Sequence, residues 1–253
     1  MKNYPKNIII PMAGLSSRFT KSGYTLPKYM LYVGNKSIFR LAIESFEKYL
    51  KLSKFTFICR DVYCTKQFIE NECKLIGIEN YNIIVTEPTS GQAETVYIGT
   101  KNINKDEDIL IFNIDTFRPD YTFPENVGDG YLECFVGEGN NWSYAKTEDG
   151  TLNSNVIETA EKRQISNFCS TGIYYFKNVN DFEKAFLECN DNTNNERYVA
   201  PLYNCMIKDG KRIKVELIDK SEVIFCGTPE EYDKYIRTQF INEQKNSYMH
   251  TFI

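Results

Sequence analysis

Pro11-Met12-Ala13-Gly14-Leu15-Ser16-Ser17-Arg18-Phe19, entered from Ile8-Ile9-Ile10 and followed by Pro27-Lys28, is the stretch on which the fold turns. An apolar strand running into a small-residue loop presents main-chain N–H groups at the carboxyl edge of a sheet. Such a loop can wrap a phosphate chain. Arg18 and Lys28 add two fixed positive charges within the same short segment. The combination points to a nucleoside triphosphate. The dinucleotide pattern G-x-G-x-x-G is excluded, because Gly14 is the only glycine of the loop, and so is the Walker pattern, because no Gly-Lys-Ser/Thr follows. The competing reading is an ordinary strand-to-loop turn with surface charges.

Outward from this loop, strands and helices alternate. Helical spacing of Phe39, Ala42, Ile43, Phe46, Tyr49 and Leu50 predicts a helix over 38–50, capped by Ser37. A strand is expected at 55–59, a helix at 64–75, a strand at 81–85, a helix at 91–100 and an apolar strand at 109–113. That order implies a parallel sheet. The second half reads as richer in strands, at 131–136, 144–146, 156–158, 169–176 and 214–217. Helices are expected at 182–188 and 197–208, and Thr228-Pro229-Glu230-Glu231 is a helix start. Asp191-Asn192-Thr193-Asn194-Asn195 reads as a polar loop rather than a linker. The fold class is therefore α/β, with a mixed, mostly parallel sheet flanked by helices. The chain is read as one domain over 1–253, with a nucleotide-binding half at 7–120, an acceptor-side half at 121–235 and a tail at 236–253.

Bulk properties narrow the functional classes. The 253 residues are 42% hydrophobic, enough for one sizeable domain. A net charge of −4 gives no global field for nucleic acid, so positive charge for an anionic substrate must be local. No apolar run approaches the roughly 18–20 residues needed to cross a bilayer. The N-terminus reaches a strand too quickly for a signal peptide, so the cytoplasm is the expected compartment, with no membrane and no nucleic-acid partner. Eight scattered cysteines form no C-x-x-C pair and are expected to be reduced. The only histidine, His250, gives no basis for a zinc site.

Beyond the loop, four positions offer chemistry. Asp115 follows the 109–113 strand and faces the same crevice; a carboxylate there suits Mg²⁺, which prefers hard oxygen ligands. Its alternative is a turn aspartate capping Thr116 or Phe117. Thr89-Ser90-Gly91-Gln92-Ala93-Glu94 opens a helix after a strand. Gly91 would let a flat ring approach the backbone, and Gln92 can donate and accept at a base edge; Thr89 and Ser90 read equally as caps, and Glu94 as a first-turn dipole partner. Glu161-Lys162 lies between two strands and could meet a second substrate's phosphate, although such a dipeptide usually marks a solvated surface pair. Trp142 either packs in the core or lines an acceptor pocket.

Taken in order, PMAGLSSRF, GYTLPK, GQAETV, IFNID, the Glu161-Lys162 pair, STGIYYF, VAPLYN and FCGTPEEYDKY resemble the nucleotidyltransferases that make nucleoside-diphosphate-linked compounds for bacterial surface polysaccharides. The likeness spans about residues 7 to 235. GQAETV, IFNID, STGIYYF and FCGTPEEY resemble more narrowly a capsule branch whose cytidylyltransferases use CTP and phosphoglutamine for phosphoramidate modification. The resemblance implies a Rossmann-like nucleotidyltransferase fold, CTP and a phosphorylated small-molecule acceptor as partners, Mg²⁺ as cofactor, and room for a homodimer. It implies a nucleotide site of Met12, Ala13, Gly14, Leu15, Ser16, Ser17, Arg18, Lys28, Thr89, Gly91, Gln92 and Asn113, with Arg18 and Lys28 catalytic. Asp115 becomes the metal ligand, and Glu161, Lys162, Thr171, Gly172 and Trp142 the acceptor site. Two departures stand out. Ser16 replaces the second loop glycine, and Phe225-Cys226 occupies the place where sugar-phosphate members carry a further metal aspartate. Rival functions are a sugar-1-phosphate nucleotidylyltransferase, a non-catalytic nucleotide-binding regulator and, for want of Asp-x-Asp, more remotely a metal-dependent glycosyltransferase.

Overall fold

The computed structural model describes residues 3–189 and 196–250, with side chains described up to residue 241. The 191–195 loop and the side chain of His250 lie outside the described residues. Among the described residues the main sheet has nine strands. Seven follow one another across it: Val156–Glu161, Ser143–Thr147, Phe168–Phe176, Ile109–Phe112, Asn7–Met12, Lys54–Cys59 and Tyr81–Val85. Gly130–Val136 pairs with Phe168–Phe176 and with Ile213–Leu217. The four strands from the first half run parallel, as the alternation predicts. Phe168–Phe176 joins them antiparallel to Ile109–Phe112, which carries the sheet into the second half.

Apolar runs rather than alternating patterns form the central strands because both faces are covered. Ile8, Ile10, Leu110 and Phe112 pack on one face, under the Ile38–Glu44 and Thr65–Ile76 helices, with Phe39, Phe46 and Phe57. Ile9, Ile109 and Ile111 face the other way, toward Val96, Phe182 and Tyr203. The residue period of two thus divides one strand between two cores. Parallel strands also place their following turns on one edge, where a crevice opens. The loops after Asn7–Met12, Tyr81–Val85 and Ile109–Phe112 all leave from that edge.

Several elements differ from the sequence reading for identifiable reasons. The helix expected over 38–50 is α-helical only at Ile38–Glu44 and continues as a 3₁₀ turn at Glu47–Tyr49. Ser37 does cap it, accepting from Arg40 N at 3.0 Å. Ser45 sits at the break, where its hydroxyl accepts from Arg118 N at 2.9 Å. The helix expected over 197–208 begins later, as a 3₁₀ turn at Ala200–Leu202 followed by Tyr203–Lys208. Residues before it are held by cross-chain bonds instead: Arg197 N donates to Ser90 O at 2.8 Å and Ala93 N to Arg197 O at 2.9 Å. The expectation of reduced thiols fails at one pair. Cys189, at the end of the Val179–Glu188 helix, is disulfide-bonded to Cys205, with Cα atoms 6.2 Å apart. Cys59, Cys73, Cys134, Cys169 and Cys226 are free and buried, acting as small core residues. Among the described residues no helix is long and apolar enough to cross a membrane.

Candidate active site

A cleft of about 510 Å³ lies at the carboxyl edge of the parallel strands and is walled on its far side by the antiparallel half. The loop from Pro11 to Phe19 lines it on the parallel side. Met12 ends the strand, Gly14 leads on, and Ser16 adopts a left-handed conformation with φ 52° before the Ser17–Lys21 helix. A β-carbon costs energy there, which is why glycine is the usual choice. The Ser16 hydroxyl answers by accepting from Lys28 N at 3.3 Å, which ties Pro27-Lys28 to the loop. Arg18 enters the cleft from the helix's first turn, while Arg60 Nε donates to Ala13 O at 3.0 Å and braces the loop from behind.

Lys28 and Asp115 meet here. Lys28 Nζ donates to Asp115 Oδ2 at 2.6 Å, with both side chains about one-fifth exposed. Asp115 therefore does not serve as a plain turn cap; its carbonyl accepts from Cys226 N at 2.8 Å, which brings the 225–228 segment alongside. A β-carbon at Gly227 would stand 2.9 Å from Asp115 Oδ2 and 3.6 Å from Glu231 Oε2. The glycine keeps open a space bordered by two carboxylates. Glu231 also closes the predicted helix start, accepting from Thr228 N at 3.0 Å and from Gly227 N at 2.9 Å.

Gln92 Nε2 donates to Asn113 Oδ1, and both residues line the cleft. Gly172 makes room for this pair. Its φ is +97°, and a β-carbon on it would fall 2.5 Å from Asn113 Nδ2. Thr89 stands back from the cleft wall, sharing a 2.7 Å hydrogen bond with Thr95. Gly91 also stands back. The close approach it permits is made not by a flat ring but by the Arg197 main chain, whose O and N would lie 2.5 and 2.6 Å from a β-carbon. Glu94 accepts from Ser90 N and Oγ, and these bonds hold its carboxyl below the usual range. Ala13 and the exposed Leu15 are also off the wall.

The far wall carries the expected acceptor residues. Glu161 ends its strand facing the cleft and accepts from Ser143 Oγ. Burial raises its pKa, opposed by the Ser143 bond and by Lys162. Trp142 lines the cleft and packs at 4.8 Å from Phe225 and 5.1 Å from Phe135, ring centre to ring centre. Phe225 thus fills the departure from the aspartate with an aromatic wall. Thr171 lines the cleft, but its hydroxyl donates inward to Glu133 Oε1 at 3.0 Å. There it supports the buried Arg118–Glu133 ion pair, in which burial pushes Glu133 up to about 7 against the pull of Arg118. Lys162 is half-exposed with φ 55°, its N–H donating to Trp142 O at 2.9 Å. Its ammonium reaches Tyr198, which lines the cleft beside Glu196.

No family model matches the chain, and no curated protein sequence does. A crystal structure does: the nucleoside-diphosphate-sugar pyrophosphorylase from Vibrio cholerae RC9 superposes with a TM-score of 0.86 and 44% identity, covering 91% of this chain and 99% of that one. The chain belongs to this nucleotidyltransferase family. The α/β nucleotidyltransferase fold, with its mixed and mostly parallel sheet, follows. Two more distant structures share that fold alone. The inositol-1-phosphate CTP transferase from T. maritima has a TM-score of 0.74 at 12% identity, covering 91% of this chain and 93% of its own. A UDP-glucose pyrophosphorylase complexed with UDP-glucose reaches 0.75 at 16% identity, covering 94% and 100%.

Metal binding can be tested on these residues. Among the described residues no group of three or more His, Cys, Asp or Glu is placed to hold an ion, so a transition-metal cage is not built. The donor set at Asp115 is different in kind. It offers hard carboxylate oxygens, a gap at Gly227, and a cation, the Lys28 ammonium, already against Asp115. A hydrated magnesium ion that takes its remaining ligands from phosphate oxygens and water fits that set.

Proposed function

We infer that the chain transfers a nucleoside monophosphate from a magnesium-bound nucleoside triphosphate to the phosphate of a small acceptor, releasing pyrophosphate, and that the acceptor is a sugar 1-phosphate. One observation carries this reading. Arg18, Lys28 and Asp115 from the parallel half and Glu161 and Trp142 from the antiparallel half open into a single cleft. The 44% identity to a nucleoside-diphosphate-sugar pyrophosphorylase favours the sugar acceptor. On this reading residues 1–253 act as one domain, in the cytoplasm where nucleoside triphosphates are held.

The chemistry needs no protein nucleophile. An anionic oxygen of the acceptor phosphate attacks the α-phosphorus in line; a new P–O bond forms as the bond to the bridging oxygen breaks, and that oxygen leaves with pyrophosphate. Repulsion between the two anions is the main obstacle: like unit charges 4 Å apart at an effective dielectric near 20 cost about 4 kcal/mol. Arg18 and Lys28 offset it on the triphosphate and Lys162 on the acceptor phosphate, and their fixed positions keep the reactants in line. Asp115, with Glu231 across the gap, would hold the magnesium ion, which supplies further neutralisation of phosphate charge. Gln92 and Asn113 offer donors and acceptors to the base edge.

A second reading keeps CTP as donor and phosphoglutamine as acceptor, for capsule phosphoramidate modification. Its support is the acidic acceptor side: Glu161 and Glu196 both line the cleft, and a phosphorylated amino acid brings an ammonium group that a sugar phosphate lacks. Pyrophosphate release measured for CTP, UTP, ATP and GTP against sugar 1-phosphates and phosphoglutamine decides between them. Release with a sugar 1-phosphate supports the first reading, and release with phosphoglutamine alone supports the second. Nucleotide binding without release from any pair would leave only a regulatory protein.

A further inference from the structure

Lys162 stands just behind the cleft wall and meets it through Tyr198 and Glu196, which line it. Its ammonium donates to the Tyr198 hydroxyl oxygen and lies 4.5 Å from the centre of the Tyr198 ring. The same hydroxyl donates its own proton to Glu196, whose carboxylate is 3.8 Å from the Lys162 nitrogen. A phenol has one proton to give. Given to Glu196, it leaves the oxygen lone pairs for the lysine, and a carboxylate at the far end makes that oxygen a better acceptor. Burial, and then the bond to Glu196, raise the Tyr198 pKa, which keeps this proton in place; the Arg18 charge acts on the same phenol in the opposite sense. Tyr198 thus lines the same cleft as Arg18 while its hydroxyl meets the Lys162 ammonium.

The segment that bears Tyr198 is itself fixed to the nucleotide side. Arg197 bonds through its main chain to Ser90 and Ala93, over the hydrogen-only face of Gly91. Its guanidinium donates to Phe186 O and lies 3.6 Å from the Phe186 ring centre. Lys162, by contrast, follows the last residue of a strand in a left-handed conformation and carries a long, half-exposed side chain. Such a side chain samples many rotamers unless a partner selects one.

We propose that Tyr198, oriented by Glu196 and anchored through Arg197 to the Ser90–Ala93 turn, is the positioning residue that sets Lys162 for the acceptor phosphate. This rests on the reading of Lys162 given above. The test measures binding by ligand-observed NMR to protein saturated with Mg²⁺ and α,β-methylene-CTP, using α-D-glucose 1-phosphate and phosphoglutamine as the two probes. For the probe that binds, Tyr198→Phe should weaken affinity roughly tenfold, the size of one hydrogen bond to a charged group. The ring, the fold and the affinity for the nucleotide analogue should be retained. In a Lys162→Ala background the same change should have no further effect, because the group it positions is gone. Unchanged affinity in Tyr198→Phe, or an equal loss with and without Lys162, would overturn the proposal alone. Equal binding by Lys162→Ala and wild type would overturn the lysine assignment and the proposal with it. Failure of both probes to bind wild type would overturn the functional reading as well.

Discussion

Residues 7–120 deliver their groups to the cleft from turns that follow parallel strands, whereas residues 121–235 deliver theirs from antiparallel strands and from a strap outside the sheet. The difference is one of sequence distance. Ser16, Arg18 and Lys28 belong to one short stretch, and Asp115 follows its strand directly. Across the cleft, Trp142, Glu161, Tyr198 and Phe225 are brought together only by folding. A parallel sheet places the turns that follow its strands at one edge, so local motifs there are already site motifs. An antiparallel wall has no such rule, and its site is made by pairing register.

That contrast gives an ordered set of expectations. The largest effect belongs to the phosphate loop: Arg18→Ala should lower kcat by about 10²–10³-fold, as for loss of a preorganised charge donor, with thermal unfolding unchanged. Full turnover in that variant would remove the loop from the chemistry. Next comes Lys162→Ala, expected to raise the acceptor KM at least about tenfold through loss of a charged hydrogen bond while moving the nucleotide KM little. The reverse pattern would place Lys162 on the nucleotide side.

Gly172→Ala probes where the division between halves breaks down. It lies on an acceptor-half strand, yet its β-carbon would strike Asn113 from a φ of +97°. A stability loss of about 1–3 kcal/mol is expected for such a forced conformation, read from denaturant unfolding, together with a raised nucleotide KM rather than a raised acceptor KM. The smallest effect is at Ser16. Replacing it with glycine relieves a left-handed residue and gives up a 3.3 Å bond. A net gain under about 1 kcal/mol is expected. A loss of stability would mean that the hydroxyl's tie to Lys28 outweighs the strain.

The same contrast explains what was legible before folding. Ile8-Ile9-Ile10 and the ILIF run of Ile109–Phe112 announce strands covered on both faces, and they are the centre of the sheet. Asp115 is legible as a cleft residue because it comes shortly after such a strand. Thr228 and Glu231 were readable as a helix start, but nothing in their spacing shows that the Glu231 carboxylate borders the Gly227 gap. Tyr198 and Glu196 carry no local pattern at all; the strap is set by hydrogen bonds to Ser90 and Ala93, about a hundred residues earlier in the chain. Gly91 shows the limit most plainly. Its permissive backbone is legible in the sequence, whereas the Arg197 main chain packed against it is not. The Cys189–Cys205 pair was likewise out of reach, since two separate helical elements bring those thiols together.

The division of labour between the two walls is tested most directly by calorimetric titration of Mg²⁺-bound nucleoside triphosphate into wild type, Arg18→Ala and Lys162→Ala, with no acceptor present. The account predicts that Arg18→Ala loses most of the nucleotide affinity and that Lys162→Ala matches wild type. Undiminished binding by Arg18→Ala, or equal losses in both variants, would contradict it.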